Sequence, residues 1–278
     1  MHAMNSTELY LDLMKRCLSF SIWGEVPRQV EMNELSTTQR LAWQALQAMN
    51  KEIPYRLARE VGFDPNLRLE GLDHPSLGHT MIGLKRLDNV QFCVESALAD
   101  AVPGDLMETG VWRGGTTIFM RAILKAHQIT DRKVWVADSF QGLPPPNEEL
   151  FPADKGDAHH EQSHLAVSVE QVKHNFERYG LLDDQVEFLR GWFRDSLPTA
   201  PVKQLAVLRL DGDMYESTMD GLKHLYPKLS PGGYLIVDDY GYLESCRQAV
   251  HDYRNANGIT ETIHQVDWTG VYWRRAES

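Results

Sequence analysis

Glu108-Thr109-Gly110-Val111-Trp112-Arg113-Gly114-Gly115 is the stretch whose reading decides the fold. It closes a short strand pattern, Asp105-Leu106-Met107-Glu108, and opens a helical one, Gly114 to Ala126. Strand, glycine-bearing turn and helix in that order make the first half of a βαβ unit. The alternation continues downstream. Strands are expected over Lys133 to Asp138, Val186 to Leu189, Leu205 to Leu210, Tyr234 to Val237, 262–267 and 270–275. Helices are expected over Val169 to Tyr179, Ser217 to Leu229 and 243–256. Seven strands interleaved with helices imply an α/β fold, a mostly parallel sheet with helices on both faces. In such sheets ligands bind beyond the carboxyl ends of the strands.

Upstream, residues 1–100 show helical patterning and no convincing strand, so an N-terminal helical region, a lid, is expected ahead of an α/β domain at 101–278. Leu9, Leu11, Leu13, Met14 and Leu18 suit one helical face, and Ser36-Thr37-Thr38-Gln39 starts a helix carrying Leu41, Trp43 and Leu46. Met81, Leu84, Leu87, Val90, Val94 and Leu98 recur every three or four residues until Pro103-Gly104 stops the helix.

Composition narrows the function. The chain has 278 residues, 42% hydrophobic and 24% charged, the mix of a soluble globular protein. Lys plus Arg is 28 and Asp plus Glu is 39, a net charge of −11. That acidity makes the chain a poor candidate for a phosphate-tracking nucleic-acid binder, and equally poor for an anionic membrane surface. Cys17, Cys93 and Cys246 form no C-x-x-C pair, which argues against a zinc site or disulfide framework. No run approaches ~18 apolar residues and no secretory pattern stands at the start, so a cytoplasmic protein is expected.

The residues after each strand are acidic. Trp112 stands where a G-x-G-x-x-G turn needs glycine, and Glu108 would repel a pyrophosphate at the helix N-terminus. A cationic cofactor reverses that argument, and S-adenosylmethionine carries both a sulfonium and an ammonium. Asp138, ending the second strand, serves either an adenosine ribose or its own turn. Asp211-Gly212-Asp213 and Asp238-Asp239 end two further strands. If those strands are neighbours, four carboxylates converge, and a hard cation such as Mg²⁺ would relieve their repulsion. Helix capping is the plainer alternative. Gly191-Trp192-Phe193 presses an aromatic on adenine or fills the core. His159, His160 and His164 read as a solvated loop within the polar stretch Gln141 to His164, although loops this long are often active-site lids. Trp43, Trp268 and Trp273 read as packing residues.

These residues resemble the macrocin O-methyltransferase family, S-adenosylmethionine-dependent enzymes that methylate sugar hydroxyls on antibiotics. The matching stretches begin with His79-Thr80-Met81-Ile82-Gly83, Glu108 to Gly115, and Val136-Ala137-Asp138-Ser139-Phe140-Gln141-Gly142. They go on through Gly191-Trp192-Phe193, Leu210-Asp211-Gly212-Asp213, Pro231-Gly232-Gly233, Val237-Asp238-Asp239-Tyr240 and Gly270 to Arg275. The resemblance spans about 79–275 and implies a Rossmann-like class I methyltransferase fold. It implies Mg²⁺ on Asp211, Asp238 and Asp239, Asp213 as general base, and a homodimer or higher assembly. The cofactor would be bound by Thr80, Met81, Glu108, Thr109, Gly110, Trp112, Arg113, Asp138, Ser139, Gly191, Trp192 and Asp211. Segment 25–73, with Arg56, Arg59 and Arg68, and the stretch 143–164 are expected to depart from the family and shape the pocket for a glycoside acceptor. A catechol-like phenol is the alternative acceptor; a nicotinamide oxidoreductase or a non-catalytic binder would be a different class.

Overall fold

The computed structural model describes residues 4–24, 26–30, 32–49, 58–73, 75 and 77–276. Its strands are β1 (Val26–Gln29), β2 (Ala58–Val61), β3 (Asp105–Thr109), β4 (Val134–Asp138), β5 (Val186–Arg190), β6 (Leu205–Leu210), β7 (Leu229–Val237), β8 (His264–Gln265) and β9 (Val271–Arg274). The helices are α1 (Ser6–Leu18), α2 (Thr37–Met49), α3 (Pro65–Glu70), α4 (Leu84–Ala99), α5 (Gly115–Ala126), α6 (Val169–Arg178), α7 (Phe193–Ser196), α8 (Tyr215–Leu225) and α9 (Glu244–Asn257).

Seven strands form one sheet in the order β5-β4-β3-β6-β7-β9-β8. The first five run parallel, and β9 and β8 turn antiparallel at the edge. β3 has β4 on one side and β6 on the other, so the chain reverses its winding direction between β3 and β6. That crevice is where such sheets bind ligands. All six residues of β6 are buried, as a central parallel strand requires. The sheet separates two cores. One packs Leu11, Leu18, Leu87, Val90 and Ile118 over Leu106 and Val136; the other packs Leu222, Cys246 and Val250 over Leu208 and Leu235. Thus α1, α4, α5 and α6 cover one face and α7, α8 and α9 the other.

The chain departs from expectation in its first hundred residues. β1 and β2 pair as an antiparallel ribbon, where no strand was expected. Four-residue strands without clear alternation leave no periodic signal, and their pairing spans a long intervening segment. On α1, Leu11, Met14 and Leu18 are buried, whereas Leu9 and Leu13 are exposed, so the helix buries a narrower stripe than expected. The helix expected from Met81 starts at Leu84, leaving Met81 in the preceding loop. Trp273 is fully buried, but Trp268 lies at the surface, donating from Nε1 to the Glu70 carbonyl (2.9 Å), and Trp43 is half-buried on α2. Arg56 lies outside the described residues. Arg68 is wholly buried and donates to the Met81 and Ile82 carbonyls (3.0 and 2.7 Å). It therefore braces the loop beside the cleft from behind rather than facing an acceptor.

Candidate active site

The turn after β3 crosses the β3–β6 crevice. Gly110 has φ +83°, and a Cβ there would stand 1.6 Å from the Asp211 carbonyl oxygen. Only glycine fits, because the backbone after β6 passes directly against it. Trp112, Phe140 and Asp213 also hold positive φ (47°, 58° and 61°), one in each turn after β3, β4 and β6. Non-glycine residues in that conformation are strained, and such strain gathers where side chains are aimed at a ligand.

A cleft of about 730 Å³, measured to its open mouth, lies over these turns. Met81, Gly110, Trp112, Asp138, Ser139, Trp192 and Asp211 line it, and so does Asp213. Trp192 therefore faces the cleft, while Phe193, which also lines it, packs partly into the core beneath. The other residues expected to bind cofactor lie behind this wall. Thr80 is buried and accepts from the Ile82 amide at 3.3 Å. Thr109 ends β3 in the core. Arg113 lays its guanidinium over the Trp112 ring, 4.1 Å from its centroid, and donates to the Gly78 carbonyl (2.8 Å). Gly191 donates its amide to the Asp138 carbonyl (2.9 Å).

Asp138 holds its own turn and also reaches the cleft. Its carboxylate accepts from the Val111 amide (2.8 Å) and the Phe140 amide (2.7 Å), holding two turns, and it still borders the cleft. Oδ1 also lies 3.4 Å from the Ser139 hydroxyl, which leaves Oδ2 as the oxygen with a second lone pair to offer. Glu108 is fully buried. Arg209 donates to its Oε1, while Oε2 has no hydrogen-bond partner. Burial foremost, helped by Asp211, pushes its pKa up to about 8 despite Arg209. An orphaned buried carboxylate oxygen beside the crevice fits a positively charged ligand.

Beyond the cleft, Asp211, Asp238 and Asp239 each offer an oxygen within 4.8 Å of the others, because β6 and β7 are hydrogen-bonded neighbours. Asp213 donates its backbone amide to Asp239 Oδ2 (3.2 Å). Burial and mutual repulsion raise Asp211 to about 6, Asp213 to about 7 and Asp239 well above the carboxylate range. Asp238 alone is lowered: although burial opposes it, Arg209 and Arg86 both donate to its oxygens. Arg209 Nη1 reaches Asp211 as well (2.7 Å), and Arg86 Nε reaches Asp267 (2.9 Å). Of the six carboxylates gathered here, Glu108, Asp211, Asp238 and Asp267 share the two guanidinium groups. The surplus negative charge and hard oxygen donors fit a divalent cation such as Mg²⁺.

The two arginines and Asp267 escaped the sequence reading. Arg209 had a signal: a lone arginine inside the apolar run Leu205-Ala206-Val207-Leu208-Arg209-Leu210 must find buried partners. Arg86 had none, because its position on α4 reads as an ordinary helix surface.

The stretch Gln141 to His164, expected as a solvated loop, is pinned at several points. It carries three short 3₁₀ turns. Asp154, buried, accepts from the Tyr215 and Glu216 amides (2.6 and 3.0 Å) and so caps α8. Trp112 Nε1 donates to the His164 carbonyl (2.9 Å), tying the stretch to the glycine turn. Leu143, Pro144 and Leu165 line the cleft, so this segment is a lid packed on the site.

Comparison with known proteins agrees with this geometry. The family model for macrocin O-methyltransferase (TylF) matches residues 7–275. The N-terminal segment expected to depart from the family is therefore inside the match. The chain is 52% identical to the 8-demethyl-8-(2,3-dimethoxy-alpha-L-rhamnosyl)-tetracenomycin-C 4'-O-methyltransferase of Streptomyces olivaceus, over 97% of this chain and 94% of that one. It is 48% identical to the mycinamicin III 3''-O-methyltransferase of Micromonospora griseorubida, over 99% of this chain and 100% of that one. The solved structure of the O-methyltransferase NovP superposes with a TM-score of 0.84 at 46% identity, covering 98% of this chain and 100% of that one. The Rossmann-like sheet and these full-length matches place the chain in the macrocin O-methyltransferase family, as an S-adenosylmethionine-dependent O-methyltransferase.

Proposed function

We propose that this enzyme methylates a hydroxyl of a sugar on a glycosylated natural product, with Mg²⁺ held by Asp211, Asp238 and Asp239. The observation that carries the reading is the position of Asp213. It lines the cofactor cleft and at the same time hydrogen-bonds into the carboxylate cluster. Relatives of similar length are named for methylation of a rhamnosyl tetracenomycin and of mycinamicin III, which supports a glycoside acceptor. When bound, Mg²⁺ supplies Lewis-acid polarisation and orientation of an oxygen ligand.

The chain's own residues do the rest. Glu108 offers its free oxygen to the cofactor's positive charge, Asp138 offers a lone pair to its ribose, and Trp112 and Trp192 wall it from water. Methyl transfer is an in-line displacement, so the acceptor oxygen must stand ~3–3.5 Å from the methyl carbon. Asp213 accepts the hydroxyl proton, as a base whose pKa lies near the working pH. The lid closes the cleft over the reacting groups.

The acceptor class is tested with labelled S-adenosylmethionine against rhamnosylated macrolides and tetracenomycins, aminocoumarin glycosides and simple catechols. Label on deoxysugars is expected. Label on the catechols alone would replace the sugar reading with a phenolic one.

The protein is further proposed to act as a homodimer in the cytoplasm, without nucleic acid or membrane partners. On α2, Leu41 and Leu46 are 61% and 43% exposed on a thirteen-residue helix, a face suited to a second copy. Light scattering should read twice the chain mass, and a monomer at micromolar concentration would count against the dimer. All three thiols are unpaired, in keeping with a reducing compartment, and no described helix is long and apolar enough to cross a membrane.

A further inference from the structure

The carboxyl edge of the sheet carries three features in strand order. The cofactor cleft comes first; among the described residues its lining reaches the turn after β6 and the start of α8, and no strand beyond. The cluster of Asp211, Asp238 and Asp239 follows, spanning the ends of β6 and β7. Past it, β9 runs antiparallel to β7 with Val237 opposite Val271, so the turn leading into β9 opens on the same edge. There Tyr242 and Trp268 meet, their ring centroids 5.5 Å apart and their planes at 77°. Both residues face solvent, 60% and 38% exposed, yet both are fixed. The Tyr242 amide donates to the Asp239 carbonyl (3.1 Å), and the Gly241 amide to the Thr269 carbonyl (2.8 Å). The Thr269 hydroxyl donates to the Asp238 carbonyl (2.8 Å). A Cβ on Gly241 would stand 2.4 Å from the Trp268 carbonyl oxygen, so the two turns touch. The Trp268 indole N–H is spent on Glu70, which leaves its ring to apolar contact. Lone exposed aromatics are ordinary; a rigid, nearly perpendicular pair tied through the backbone to Asp238 and Asp239 is not.

We propose that this aromatic corner binds the aglycone of the acceptor, taking a flat apolar ring system against Tyr242 and Trp268 while the sugar stands at the carboxylates. This rests on the glycoside reading, with the reacting hydroxyl beside the cluster. When the cofactor occupies the cleft, the acceptor reaches the cluster from the side left open, over β7 and β9. Neighbouring strands lie ~4.8 Å apart, so the corner stands roughly one sugar ring away from the carboxylates. The group joined to the sugar, rather than the sugar, therefore meets the rings. Two rings near right angles touch a flat body on its face and on its edge, which orients it as well as holding it. Tyr242 and Trp268 thus select among glycosides and leave the transfer step to the residues of the cleft.

The test compares two acceptors that share a sugar, methyl α-L-rhamnoside and 2-naphthyl α-L-rhamnoside, on the full-length enzyme with labelled S-adenosylmethionine and Mg²⁺. The parent should favour the naphthyl compound by about 10²-fold in kcat/KM, through KM. Tyr242→Ala should lose about ten-fold of that preference, the worth of one aromatic contact, and Tyr242→Phe should keep it. Trp268→Ala should act in the same direction. Calorimetry with S-adenosylhomocysteine should give the parent's affinity in each variant, which separates a lost contact from a lost fold. Equal kcat/KM for the two rhamnosides in the parent, or a preference untouched by Tyr242→Ala, overturns the corner and leaves the sugar reading standing. A change from dimer to monomer in Tyr242→Ala, at unchanged preference, assigns the rings to a second copy and overturns it too. Label on catechols and on neither rhamnoside overturns the glycoside reading itself, and the corner with it.

Discussion

Asp213→Asn should produce an enzyme that binds its cofactor normally, turns over ~10²–10⁴-fold more slowly, and is more heat-stable than the parent in chelator. The loss follows from removing a positioned proton acceptor. The fold should survive, because asparagine is nearly isosteric and tolerates the positive φ of 61° better than most residues. The stability gain follows from linkage. Burial and the neighbouring carboxylates raise the folded pKa of Asp213 to about 7, above its unfolded value. Such a group contributes stability while protonated and loses it as pH rises through that value. Asparagine removes the loss, so the midpoint difference should widen from pH 5 to pH 8. Stopped-assay kinetics with calorimetry in parallel will read both effects. A fall in cofactor affinity equal to the fall in turnover would deny Asp213 the role of base.

Arg209→Met should be the most damaging single change to stability. Arg209 is wholly buried in the central strand and joins Glu108, Asp211 and Asp238. Methionine fills much of the volume but leaves the buried Glu108 and Asp238, and the cleft-facing Asp211, without the guanidinium that joins them. Removing one partner from a buried ionic network costs about 3–5 kcal/mol. For a chain of this size that is a fall in Tm of roughly 10 °C. Arg209→Lys should recover little, because one ammonium cannot span three carboxylates as a planar guanidinium does. Added Mg²⁺ should restore part of the loss by neutralising Asp211 and Asp238. A Tm within a degree or so of the parent would mean the carboxylates are already protonated and the network is not held by charge.

The two variants also separate what was legible in the sequence from what was not. The alternation after Asp105 gave each of the seven sheet strands, and their carboxyl ends carried Glu108, Asp138, Asp211, Asp213, Asp238 and Asp239 in plain view. Local pattern suffices there, since strand ends in a parallel sheet point to one edge whatever the loops do. Arg209 could have been read from its place in an apolar strand. Arg86 and Asp267 could not, because Arg86 finds Asp238 and Asp267 only 152 and 181 residues further along the chain. The same limit hid how the lid is pinned. Asp154 looks like an ordinary polar loop residue until the fold brings it to the start of α8. The β1–β2 ribbon was lost for a related reason: its strands are short and find each other only through tertiary structure.

The central claim is that the carboxylates at the ends of β6 and β7 hold a divalent cation that the methyl transfer needs. Its most direct test is transfer of labelled methyl from S-adenosylmethionine to a rhamnosylated acceptor, with Mg²⁺ and with excess chelator, for the parent and for Asp239→Ala. The account predicts label on the sugar only with Mg²⁺, recovery when the metal is returned, and loss in Asp239→Ala under both conditions. Equal transfer in chelator and in Mg²⁺ would contradict it.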